Sequence, residues 1–343
     1  MIGDVLASSI ICNNLKQLYP NSKVDYLIYP FTAPVVENNP NIDSVILFEE
    51  QFRTSKLAFF RFLIGIRKQK YDLIIDAYGK LESNLVVAFS GSETRIGFYK
   101  SYTSFLYTKT VKQLIDSTTE AGTALENRLK LLFPLSPDFI LNNKPRIFLT
   151  KKEIENGKAI LKDNQIDLST KKYMISVIGS SYDKTYPYRY MAKLLDRIVE
   201  KTGAVLLFNY IPSQKKEANI IFNLCKKKTQ KNIKINIIPG SIREFLAISY
   251  HCDALIGNEG GAVNMAKAIN LPTFTLFSTW IIKEAWDSFE NGKSNISLHL
   301  KDFIPDLYGD KSAKEMKKEA LKLYEYFIPK LIFPQLEKFI ENN

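Results

Sequence analysis

Gly257-Asn258-Glu259-Gly260-Gly261-Ala262-Val263-Asn264-Met265-Ala266-Lys267-Ala268-Ile269 is the stretch on which the reading of the fold turns. An apolar strand, Ala254-Leu255-Ile256, runs into it, and a helix runs out of it, ending before Leu271-Pro272. A second apolar strand, Thr273 to Phe277, follows at once. Strand, small-residue turn, helix and strand in so few residues is a βαβ unit. Two glycines at the turn let backbone N–H groups face a ligand closely, and the helix N-terminus adds partial positive charge at the same point. Such a corner holds a phosphate without a lysine. The same glycines also suit a corner that needs only to turn.

Outward from that unit the alternation repeats. Toward the N-terminus come strands at Tyr173–Ile178, Ala204–Phe208 and Ile235–Ile238, separated by helices at 190–202 and 213–228. A Ser241-x-x-Glu244 capping box opens a further helix to Tyr250. Earlier still, strands at Val24–Ile28, Val45–Phe48, Asp72–Asp76 and Thr94–Phe98 alternate with helices, the first from Asp4, placed as its N-cap, to Tyr19-Pro20. Apolar strand runs between helices imply a parallel sheet covered on both faces. Pro134, Pro137, Asn142-Asn143 and Pro145 mark a passage between two such halves. The reading is therefore α/β, with two doubly wound, Rossmann-like domains at 1–148 and 149–310, and a helical tail at 311–343 broken near Pro329 and Pro334. Ligands in such sheets bind outside the carboxyl ends of the strands, and with two domains a cleft between them is expected.

At 343 residues, 45% hydrophobic and 24% charged, the chain can build two sizeable cores. No apolar run is long enough to span a membrane, and the first residues carry Asp4 and no basic n-region, so no signal peptide is read. Cys12, Cys225 and Cys252 read as reduced thiols of a cytoplasmic protein, and with only two histidines a metal cluster is not expected. The net charge of +11 suits anionic partners or simply solvated lysine faces.

Four segments, in order along nearly the whole chain, resemble glycosyltransferase family 9, the ADP-heptose lipopolysaccharide heptosyltransferases. Gly3-Asp4-Val5-Leu6 resembles the family's "GDV" start. Asp76-Ala77-Tyr78-Gly79-Lys80 with Arg95-Ile96-Gly97-Phe98 resembles its "D-x-x-G … R-I-G-F" pair. Lys184-Thr185-Tyr186-Pro187 resembles "K-x-W-P", and Gly257 to Ala266 resembles "G-N-D-T-G-P-x-H-L-A". The resemblance implies a GT-B fold with an acceptor-binding N-terminal lobe, a nucleotide-sugar-binding C-terminal lobe and a tail crossing back to the first. It implies an inverting glycosyl transfer that needs neither metal nor cofactor, with a nucleotide diphosphate sugar as co-substrate.

By that resemblance Asp4 is the base that takes the proton of the attacking hydroxyl, and Lys184 stabilises the leaving diphosphate. Gly179, Ser180, Ser181, Gln214, Asn258, Glu259, Gly260, Gly261 and Asn264 fall on the donor side; Gly3, Asp76, Tyr78, Lys80 and Arg95 fall on the acceptor side. The departures are equally plain. Glu259 replaces an aspartate, Gly260 a threonine, Ala262 a proline and Asn264 a histidine, while Gln214 stands where a ribose-binding glutamate is usual. ADP-heptose is thus the first candidate donor, and another nucleotide sugar stays open.

The family also begins with an apolar strand ahead of its "GDV" motif. Without it a doubly wound sheet leaves two neighbours unpaired at its centre, so the reading expects further chain before Met1. Residues 52–70 interleave Phe59, Phe60, Phe62, Leu63 and Ile66 with arginines and lysines. This suits either a helix lying on the inner face of an anionic membrane or a crossover helix packed on its own sheet. The partners expected are a nucleotide sugar and an anionic glycolipid, bound by a monomer, with no nucleic acid. The alternative is a catalytically inactive nucleotide-sugar-binding scaffold or sensor.

Overall fold

The structure, a computed structural model, describes residues 1–137, 141–309 and 311–343. It divides into two compact units, Met1–Arg146 with Glu284–Ser288, and Ile147–Lys283 with Phe289–Asn343. The expected boundary at 148 becomes 146/147, and the one at 310 lies outside the described residues.

The first unit opens with the helix Ile2–Leu18, whose Leu6 and Ile10 are fully buried. Met1, not Asp4, is its N-cap; Asp4 lies inside the first turn, where a carboxylate complements the helix dipole. Strands β1 (Asp25–Ile28) and β2 (Ser44–Leu47) pair in parallel. Strands β3 (Leu73–Asp76), β4 (Thr94–Phe98) and β5 (Lys109–Val111) form a second, separate parallel sheet. The single covered sheet expected from the sequence is thus split in two. β1 and β3 each have one strand neighbour, and both line an open cavity of about 1180 Å³ with Ile46, Ile66 and Val86. The helix Thr123–Lys130, absent from the sequence reading, packs on Ile2–Leu18.

The second unit carries one continuous sheet. Its strands are β6 (Lys172–Ser176), β7 (Val205–Asn209), β8 (Ala254–Asn258), β9 (Thr273–Leu276) and β10 (Asn295–Leu298), all parallel, in the order β10-β9-β8-β6-β7. The strand expected at Ile235–Ile238 is not formed. Ile233 makes a single bridge to Leu206, and Ile237 N–H then closes a turn on Lys234, so the chain leaves the sheet edge. The helix expected over 213–228 breaks at Cys225, which adopts extended backbone between Lys215–Leu224 and Lys227–Asn232.

The tail ends in the helix Pro329–Asn342. Pro329 starts it, as proline's fixed φ allows, and Pro334 sits within it rather than breaking it. Ile332, Leu336, Phe339 and Ile340 enter the second unit's core, with the Phe339 ring 5.5 Å from that of Phe274. Glu337 receives Arg197 at 2.7 Å and Lys201 at 3.1 Å from the helix Tyr188–Thr202.

Candidate active site

In the second unit the chain goes from β6 to β7 on one side and later returns to β8 on the other. The point where strand order reverses therefore lies between β6 and β8, and the segments after their carboxyl ends form a ligand-binding crevice in sheets of this kind. Gly179 follows β6. A Cβ there would sit 2.2 Å from the Lys184 carbonyl, so only glycine lets this loop fold back on itself. Its N–H donates to Thr185 Oγ1 (3.1 Å) and its carbonyl accepts from Gln214 Nε2 (3.0 Å). Gln214 thus joins the loops after β6 and β7. Ser180 and Ser181 are exposed beside it.

Gly257 lies in β8 at φ +136°, and a Cβ would meet the Ser176 carbonyl at 2.3 Å. The close approach of β8 to β6 therefore requires glycine. Asn258, fully buried, locks the same junction: its Nδ2 donates to Ser176 O (2.9 Å) and its Oδ1 accepts Tyr186 N–H (2.7 Å). Gly260, at φ +148°, faces open space, and the helix Gly261–Ala268 starts immediately after it without a side-chain cap. Uncapped first-turn N–H groups at a glycine corner are donors for an anion. Asn264 lies within that helix, half-buried.

Glu259 and Lys184 close the group, with Lys184 Nζ 3.4 Å from Glu259 Oε1. Burial pushes the Glu259 carboxyl above its ordinary range, against the pull of the Lys184 ammonium. Lys184 also lies 5.4 Å from the centre of the Trp280 ring. The donor-side residues read from the sequence are thus gathered on consecutive loops of one unit. Asn258 and Gln214 serve there as braces. Trp280, three residues past the strand expected to end at Phe277, was missed; its place beyond a strand's carboxyl end was the available signal.

In the first unit Asp4, Asp76, Tyr78 and Lys80 line one cavity; Gly3 and Arg95 do not. Asp4 Oδ1 accepts from Arg128 Nη2 at 3.0 Å, and Oδ2 lies 3.6 Å from the Met1 amino group. Arg128 is anchored by Nη1 on Ala124 O (2.8 Å), and burial lowers its pKa against the pull of Asp4. It sits in the stretch after β4 that the sequence reading left without elements.

Asp76 is occupied within its own turn. Its Oδ1 accepts the N–H groups of Tyr78 and Gly79, both at 2.8 Å, and its Oδ2 lies 2.9 Å from the Tyr107 hydroxyl. Gly97 makes room for that ring, since a Cβ there would sit 2.3 Å from it. Arg95 spends its guanidinium on the carbonyls of Leu106 (2.9 Å) and Ser92 (2.5 Å). Asp76 thus holds the cavity wall, backed by Tyr107 in the space that Gly97 leaves, while Arg95 points away from the cavity; Asp4, exposed Tyr78 and exposed Lys80 are the groups that line it without being spent on the wall.

Comparison with known proteins fits both units. Residues 59–299 match the model of glycosyltransferase family 9 (heptosyltransferase). Lipopolysaccharide heptosyltransferase 1 of Campylobacter coli is 24% identical over 311 residues, which span 86% of this chain and 85% of that protein. A glycosyl transferase family 9 structure from Veillonella parvula superposes with a TM-score of 0.73 at 15% identity, over 95% of this chain and 94% of that one. An Escherichia coli heptosyltransferase solved with ADP gives a TM-score of 0.62 at 14% identity, over 95% and 96%. The fold class is GT-B.

Proposed function

From the premise that this chain belongs to glycosyltransferase family 9 and is a glycosyltransferase, we propose that it moves heptose or a related sugar from a nucleotide diphosphate sugar to a lipopolysaccharide-type acceptor. The transfer inverts the anomeric centre and uses no metal. The observation that carries this reading is the donor corner, where Gly260-Gly261, an uncapped helix start and Lys184 converge. As the glycosidic bond breaks, its electron pair leaves with the nucleotide diphosphate, and the helix N–H groups and Lys184 stabilise the oxygen that gains charge. Asp4 takes the proton of the acceptor hydroxyl as that oxygen bonds to the anomeric carbon. Arg128 fixes which way the carboxylate points. The ADP complex of the E. coli relative supports a nucleotide donor, with ADP-heptose the first candidate.

The acceptor reading extends to the helix Lys56–Lys68. Phe62, Leu63 and Ile66 pack inward, yet Leu57, Phe60 and Ile64 stay exposed among Lys56, Arg61, Arg67 and Lys68. An outward face both apolar and basic suits an anionic glycolipid surface. Among the described residues no helix is long and apolar enough to cross a membrane.

The test is a thermal-shift screen against ADP-, GDP- and UDP-sugars. A true donor at a hundred times its dissociation constant adds about 2.7 kcal/mol of stability. The reading expects one of them to raise the melting temperature; if none does, the donor corner does not hold a nucleotide sugar.

A further inference from the structure

Lys184 is not the only ammonium at the donor corner. The side chain of Lys317, on the tail helix Ala313–Lys318, places its Nζ 4.7 Å from the centre of the Trp280 ring, while Lys184 Nζ lies 5.4 Å from it. Both distances lie within the range of cation–π attraction. Trp280 therefore holds two lysines at one locus, one beside the loop after β6 and one from the tail. The tail is tied there by Thr279 Oγ1 donating to Ala320 O (3.1 Å) and by the Tyr186 hydroxyl donating to Phe327 O (2.7 Å). Asp183 completes the group: Ser278 Oγ donates to its backbone carbonyl (2.8 Å), and Ser181 Oγ donates to its carboxylate (2.5 Å).

The two lysines differ in how firmly they are held. Lys184 is mostly buried and pairs with Glu259 at 3.4 Å. Lys317 is 56% exposed and lies 3.8 Å from Asp183 Oδ2, an ion-pair distance too long for a hydrogen bond. The pair is exposed on the lysine side only, since Asp183 Oδ2 is buried and accepts no hydrogen bond, and at this length its attraction is weak. Asp183 keeps its Ser181 hydrogen bond when the pair opens. A diphosphate carries more negative charge than Lys184 alone neutralises, and Lys184 must already serve Glu259.

We propose that Lys317 is a second cationic ligand for the donor's diphosphate, delivered by the C-terminal tail and steered by the Trp280 ring. The inference rests on the donor reading above. On donor binding the Lys317 ammonium leaves Asp183 for a phosphate oxygen, so the tail becomes part of the donor site. Lys317 acts by binding; it takes no proton and forms no bond to the sugar.

Calorimetric titration of the full chain with ADP, GDP and UDP, and with the matching nucleosides, tests it. The expected result is that Lys317→Ala weakens the best-bound nucleoside diphosphate about tenfold, leaves nucleoside affinity and melting temperature unchanged, and is rescued by Lys317→Arg. A variant that binds the diphosphate as tightly as the parent overturns the inference and leaves the donor reading standing. An equal loss for nucleoside and diphosphate also overturns it, since the effect is then structural. A parent chain that binds no nucleoside diphosphate defeats both.

Discussion

The two units hold their reactive groups in opposite ways. In the second, an unbroken five-stranded sheet brings the loops after β6, β7 and β8 to one corner, and each loop is fixed to its neighbour through the backbone, by close approaches that require glycine and by the Asn258 and Gln214 amides bonded to main-chain groups. In the first, the sheet is split, and the groups proposed to meet substrate stand around an open cavity, fixed by side chains: Asp4 by Arg128, and the wall by Asp76 with Tyr107. The donor corner is a property of the backbone, whereas the acceptor side is a property of individual side chains. A backbone site leaves a strong mark in sequence; a side-chain site can be assembled from residues scattered along the chain.

The largest expected effect separates the two kinds of site by chemistry. Asp4→Asn should lower the transfer rate by about 10²- to 10⁴-fold, the range of a lost general base, while leaving nucleotide affinity unchanged. Lys184→Ala should weaken nucleotide binding as well as rate. Rate and affinity measured on both variants check this; an Asp4→Asn enzyme with undiminished turnover removes Asp4 as the base.

Next in size is a contrast in packing. Ile256, in central strand β8, is 2% exposed, and Ile256→Ala should cost about 2–5 kcal/mol. Ile74, in β3, borders the cavity, and Ile74→Ala should cost under about 1.5 kcal/mol because its surroundings are already open on one side. Urea unfolding of the pair measures it, and equal costs would mean that the cavity is not open in solution.

Gly97 tests whether the first unit's wall depends on the Tyr107 ring. Gly97→Ala should cost about 1–3 kcal/mol by overpacking, and Gly97→Ala with Tyr107→Ala should lose less than the sum of the two. Additive losses would place the ring's role elsewhere.

The smallest effect concerns acid stability in the second unit. Hydrogen bonds from Arg243, with Nε 2.7 Å from Glu153 Oε1, hold the Glu153 carboxyl down from its ordinary 4.5 to about 2. A depressed folded value means that the contribution is complete above pH ~4.5 and is lost as pH falls toward ~2. Arg243→Met should flatten stability against pH across that window. An unchanged pH profile would show that Arg243 is not what holds the carboxyl down.

The same division accounts for what could be read from the sequence. The Gly257–Ile269 unit was legible because its glycines, its strand and its helix each carry a local pattern, and so was the Ser241 cap, whose hydroxyl accepts Glu244 N–H at 3.1 Å. β5 and β10 were not, because three or four residues at a sheet edge show no periodicity, and Ile235–Ile238 looked like a strand although its neighbours turn it out of the sheet. Asp4 read as a cap because an acidic residue in a first turn and one at the N-cap look alike in sequence. Arg128 and Lys317 were invisible for a different reason: each matters through a partner 124 or 134 positions away, and no short motif records such a distance.

The central claim is sugar transfer from a nucleotide diphosphate donor. Its most direct test is mass spectrometry of a lipopolysaccharide acceptor lacking heptose after incubation with the protein and ADP-heptose, with EDTA present. The account expects the acceptor to gain the mass of one glycosyl residue while ADP is released in equal amount. An unchanged acceptor with ADP-heptose, and with every donor that raises the melting temperature, would contradict it.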